Sequence, residues 1–138
     1  MKRFITVLTA SAFMALSATA ADYTYKCKQR TDRSPVDAKV GKISVVVTHL
    51  KSIATGGTEY RGQYADSVDS VKVVVSATNA GKTTVVKTAV AIAVSEDVMF
   101  NIDNNGIKFH LYMDELEESG IELKLNGKKV DVSLNCDV

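Results

Sequence analysis

A chain of 138 residues carrying 17 basic and 16 acidic side chains lacks the concentrated excess of Lys and Arg that marks a nucleic-acid binder. With no Trp, a single Pro and 46% hydrophobic residues, it is also neither a disordered segment nor a Pro-rich linker. A globular protein that buries a core is what remains.

The chain opens MKRFITVLTASAFMALSATAAD: Lys2 and Arg3, an apolar run from Phe4 to Leu16, then small residues ending Ala18-Thr19-Ala20. That order predicts a cleaved secretory signal over residues 1–20. The apolar run is shorter than the about 20 residues a membrane span needs, so no membrane insertion is expected. Removing the leader leaves 118 residues, one domain over 21–138, with 15 basic against 16 acidic side chains.

The first predicted strand, 22–29, alternates Tyr23, Tyr25 and Cys27 with Thr24, Lys26 and Lys28. A second, 40–54, contains the β-branched run ISVVVTHL and is long enough to require a bend or bulge. His49 shares parity there with Ile43, Val45 and Val47, which predicts a partly buried imidazole bonded to backbone. Thr55-Gly56-Gly57 reads as a turn. After it a short strand, 58–64, groups Tyr60, Arg61, Gln63 and Tyr64 around Gly62. Tyr and Arg are over-represented at binding hot spots, so these four residues are the candidate recognition surface.

Strand 69–78 follows, then NAGKTT, residues 79–84. The phosphate-loop pattern would need Gly where Ser76 stands and a helix after Lys82; Thr83-Thr84-Val85-Val86 is strand-like, and a β-turn is the simpler reading. Strand 83–94 leads to 97–102 and to NIDNNGIKFH, where Asn101, Asp103, Asn105 and Gly106 imitate the first half of a calcium loop. Position twelve of that loop must be a bidentate Glu and is Tyr112. A hairpin explains the stretch better: Ile102 opposite Ile107 would pair Phe100 with Phe109 and Val98 with Leu111, all on one face. His110 falls on the outward parity of strand 107–113.

Asp114, Glu115, Glu117 and Glu118 form an acidic turn, which keeps a sheet edge soluble without any metal. The last strands, 120–125 and 130–136, flank Asn126-Gly127. A two-residue turn there, favoured by the Asn-Gly pair, sets Lys124 against Lys129. A four-residue connection, favoured by charge, sets Lys124 against Asp131.

Cys27 and Cys136 both lie on the apolar parity of strands near opposite ends of the chain. In an exported protein two such cysteines read as a disulfide, worth about 4–5 kcal/mol for so long a loop in the chain-entropy model. The expected fold is all-β: a single-domain antiparallel β-barrel or β-sandwich of about eight or nine strands, its N- and C-terminal strands joined through Cys27 and Cys136. No catalytic, cofactor or metal motif is found. The sequence therefore predicts an exported protein, periplasmic or secreted, acting as a non-enzymatic binding or inhibitor module on a protein partner through Tyr60, Arg61, Gln63 and Tyr64. The alternative is a lipocalin-like carrier of a small apolar ligand, suggested by abundant Val and Ala at barrel-lining positions; an enzyme ranks third.

Overall fold

The computed structural model describes residues 22–138, so the predicted leader lies outside the described residues. Eight antiparallel strands follow one another around a single closed barrel. They are β1 (Thr24–Gln29), β2 (Lys42–Tyr60), β3 (Gln63–Asn79), β4 (Lys82–Glu96), β5 (Met99–Asn104), β6 (Ile107–Tyr112), β7 (Ser119–Leu125) and β8 (Lys128–Asp137). A short 3₁₀ turn, Leu116–Glu118, precedes β7. Of the two expected architectures the barrel is realised, and no helix among the described residues is long and apolar enough to cross a membrane.

Alternation of side chains along the strands builds the core. Ile43, Val45 and Val47 on β2, Val71, Val73 and Val75 on β3, and Ile107, Phe109 and Leu111 on β6 are all buried, while their neighbours face out. One continuous cluster fills the interior and includes both cysteines. Its aromatic members pack edge to face: Tyr25 on Phe100 at 5.2 Å and Phe100 on Phe109 at 6.1 Å between ring centres.

The ring closes where β1 pairs with β8. Cys27 stands directly opposite Cys136, and their sulfur atoms are bonded. The connection between β1 and β2 covers this junction: Arg30 N–H donates to Ser133 C=O at 2.8 Å, and Ser133 N–H donates to Ser34 Oγ at 2.8 Å. Gln29, itself buried, accepts from Ile43 N–H through Oε1 at 2.8 Å and donates through Nε2 to Ser34 C=O at 2.8 Å.

Several local expectations are corrected. Thr55-Gly56-Gly57 is no turn; Gly56 and Gly57, at φ of 76° and 79°, form a bulge inside one long strand, so the expected strands 40–54 and 58–64 run together as β2. The chain reverses at Arg61-Gly62, both at positive φ, as a two-residue turn matching strand twist requires. In the β5–β6 hairpin the loop is Asn105-Gly106, which pairs Ile102 with Phe109 and Phe100 with Leu111, two residues away from the expected register. The last hairpin uses the short turn, with Lys124 opposite Lys129 and Glu122 opposite Asp131. Lys129 Nζ relieves this by reaching diagonally to Glu122 at 3.6 Å. Backbone twist at Asn-Gly outweighs one exposed like-charge pair, which costs only a few tenths to about 1 kcal/mol.

Candidate functional site

The β2–β3 hairpin is far longer than the strands across the barrel, and register shifts after His49, Ser52 and Thr55 bend it. Bulges of this kind re-aim a strand. The hairpin tip consequently stands over outward-facing residues of β4, β5 and β6, with an open groove of about 490 Å³ between. Tyr60, Arg61, Gln63 and Tyr64 form one wall; Ile92, Val94, Asn101, Lys108 and His110 are on the other. The four residues singled out in the sequence are thus brought together with a facing surface, although Arg61 lies in the turn and the other three flank it, instead of all lying on a separate strand.

Local contacts hold the tip. The Arg61 guanidinium lies 5.4 Å from the centre of the Tyr60 ring, within cation–π range. The Tyr64 hydroxyl donates to Asp66 Oδ1 at 2.7 Å, and Asp66 Oδ2 accepts the Asp97 N–H at 2.7 Å from the β4–β5 turn. Those two donors, the Asp97 amide first, hold the Asp66 carboxyl below its ordinary value; the carboxylate in turn raises the Tyr64 hydroxyl. Tyr64 remains 55% exposed. An exposed aromatic fixed by a hydrogen bond presents area to a partner at little entropic cost.

The remaining polar candidates have structural employment. Asn104 and Asn105, from the calcium-like stretch, donate their side-chain amides to Ile92 C=O and Val90 C=O on β4. Glu118, from the acidic turn, binds Arg33 at 2.9 Å and approaches Arg30 at 3.5 Å. Asn79 pairs with Lys82 across a tight Ala80-Gly81 turn, as expected for NAGKTT. His110 is exposed, but its ring lies over Gly120, where a Cβ would come within 2.8 Å of Cε1, and its Nε2 is 3.2 Å from Glu118 O.

One constellation escaped the sequence. His49 is buried at the bulge, and its partners are side chains, not the expected backbone: Nδ1 lies 3.1 Å from Asp22 Oδ1 and Nε2 3.1 Å from Ser52 Oγ. Hydroxyl, imidazole and carboxylate stand in the order of a nucleophilic triad. Two features weigh against that use. Asp69 Oδ1 approaches the same Nε2 at 3.8 Å, and neither the tip groove nor the cleft beside β4 borders Ser52. Asp69 also accepts the Tyr23 hydroxyl at 2.7 Å; burial first, and then that carboxylate, raise the Tyr23 hydroxyl far above the tyrosine norm. The group ties the chain's first described residues to the barrel end. His49 and Asp69 were findable only as inward-parity polar residues; Asp22 carried no signal.

Comparison of the chain with protein-family models, curated proteins and solved structures finds no match.

Proposed function

We propose that the protein is an exported, non-enzymatic recognition module whose hairpin tip, Tyr60 to Tyr64, engages a protein partner in the groove it forms with β4–β6. The observation that carries this reading is the groove itself: a bent hairpin sets Tyr60, Arg61 and Tyr64 opposite a wall of mixed polarity. Export is supported by the Cys27–Cys136 bond, which forms in oxidising compartments, and by the leader-like sequence of residues 1–20. Outward positions such as Lys26, Lys28, Lys108 and Lys124 are charged, which suits water better than the apolar band of a membrane barrel. Surface recognition gains over a lipocalin-like carrier because Phe100, Phe109 and the aliphatic inner faces occupy the interior.

Capture from an extract of the protein's natural surroundings, repeated with Tyr60→Ala, Arg61→Ala, Gln63→Ala and Tyr64→Ala, tests the proposal. Loss of one captured species in the Tyr and Arg variants supports it; undiminished capture across the series removes this surface. A second reading, ester hydrolysis through Ser52, draws on the Ser52–His49–Asp22 hydrogen bonds. A fluorophosphonate probe distinguishes it, since labelling at Ser52 that His49→Ala abolishes would overturn the non-enzymatic reading.

A further inference from the structure

The barrel wall is incomplete along one strand. β4 pairs with β3 from Lys82 to Ser95, but β5 meets it only from Ala93 to Glu96. In an antiparallel strand, successive residues direct N–H and C=O to opposite neighbours. Ile92 shows which residues face the open side: its N–H donates to Asn104 Oδ1 at 2.9 Å, and its C=O accepts from Asn104 Nδ2 at 2.8 Å. The same side-chain replacement continues one step on, where Asn105 Nδ2 donates to Val90 C=O. Amide groups thus already pair with this edge where β5 has turned away. By alternation Thr88 and the N–H of Val90 face the same side, and among the described residues no strand pairs with them there. Val85 and Val90, on the same stretch, are more than half exposed.

Charge selects the partner. A cleft runs between β4 and the ends of the neighbouring hairpins, about 410 Å³ beside Asn104 and about 320 Å³ beside Leu125. Lys87 and Lys124 border both parts and Lys39 the second. Of the acidic side chains of the cleft, Glu122 is 3.6 Å from Lys129, and Asp103 stands at the cross-strand position of Lys108, so five lysines face two carboxylates. Lys39, Lys87 and Lys124 have no carboxylate at ion-pair distance among the described residues. A second copy would carry its own unpaired Lys39, Lys87 and Lys124 to the same seam, and like charge there disfavours it. An extended segment rich in Glu or Asp satisfies both the backbone and the lysines.

We propose that the open edge of β4 accepts an extended acidic peptide as an added strand, its main chain bonding Thr88 and Val90 and its carboxylates meeting Lys87, Lys124 and Lys39. Strand addition derives affinity from main-chain bonds and specificity from flanking side chains. The cleft shares Asp103, Asn104 and Lys108 with the hairpin-tip groove but uses neither Tyr60 nor Tyr64, so the proposal stands or falls without a partner at the tip.

The probe is a fluorescein-labelled octapeptide alternating Glu with Val and Thr, read by anisotropy against its Lys-for-Glu counterpart and against a version N-methylated at alternate residues. The Glu peptide is expected to bind, and both controls at least tenfold more weakly. Lys87→Glu with Lys124→Glu should reverse the preference toward the Lys peptide, a gain that an unfolded variant cannot show. Tyr60→Ala with Tyr64→Ala should leave binding unchanged. Failure of the Glu peptide to bind, equal binding of the N-methylated form, or binding indifferent to the charge reversal overturns the proposal. So does concentration-dependent self-association that protects the Thr88 and Val90 amides without peptide, which would assign the edge to a second copy.

Discussion

Of the three junctions in the ring that are only four residue pairs long, two make the sharpest contrast: β1 with β8, from Lys26↔Asp137 to Gln29↔Leu134, and β4 with β5, from Ala93↔Ile102 to Glu96↔Met99. They differ in what surrounds the pairs. The first is crossed by the Cys27–Cys136 bond and covered by the β1–β2 connection, with Gln29 bridging Ile43 and Ser34. The second is extended by two asparagine side chains and then left open. Chain ends are the costliest segments to bring together, because loop entropy grows with the length between them. Covalent closure falls at the junction where that entropy is largest, while the junction between adjacent strands can be left part-open at little cost.

The largest effect separating the two junctions should come from the disulfide. Replacing both cysteines by Ala should cost about 2–5 kcal/mol in urea unfolding, and an unchanged midpoint would show that the sealed junction does not depend on its covalent link. Gln29→Ala leaves the buried Ile43 amide without its acceptor and should cost about 1–3 kcal/mol. At the open junction, Asn104→Ala removes two half-buried bonds to Ile92 and should cost less, about 1–2 kcal/mol. A loss at Asn104 exceeding that at Gln29 would reverse the assignment of which junction bears more of the stability.

The smallest effect is an acid response of the hairpin tip. The Asp97 amide, and after it the Tyr64 hydroxyl, lower the Asp66 carboxyl below its unfolded value. Its stabilising contribution is therefore complete above the ordinary aspartate value and is lost as pH falls through the lowered one. The Asp97 amide resonance should shift across that window in the native protein and stay fixed in Asp66→Asn. A titration identical in the two proteins would detach Asp66 from the tip.

Parity was legible in the sequence and register was not. Alternation around Ile107, Phe109 and Leu111, and around Cys27 and Cys136, placed the right side chains inside because the strand period is two. A shift of two residues preserves that parity, so pairing Phe100 with Phe109 or with Leu111 satisfies the hydrophobic pattern equally; only the turn decides, and it decided for Asn105-Gly106. Turn composition misled at the long hairpin. Gly56-Gly57 serves a bulge as readily as a turn, and the true reversal places Arg61 at φ of 51°, where Asn or Gly would be expected. Tyr60, Arg61, Gln63 and Tyr64 stood out by residue type, whereas their groove depends on three bulges: the length of 40–54 announced a bend there, which the shifts after His49 and Ser52 supply, but not its position or the third bulge at Gly56-Gly57. The His49 group was hidden for another reason: Asp22 and Asp69 reach it from separate segments.

Amide hydrogen exchange along β4, followed residue by residue in the native protein, tests the contrast between a sealed and an open junction most directly. Lys87, Ala89 and Ala91 bond toward β3 and should exchange slowly, while Thr88 and Val90 between them should exchange at least tenfold faster. Slow exchange at all five positions would show that a strand already covers this edge and would contradict the account.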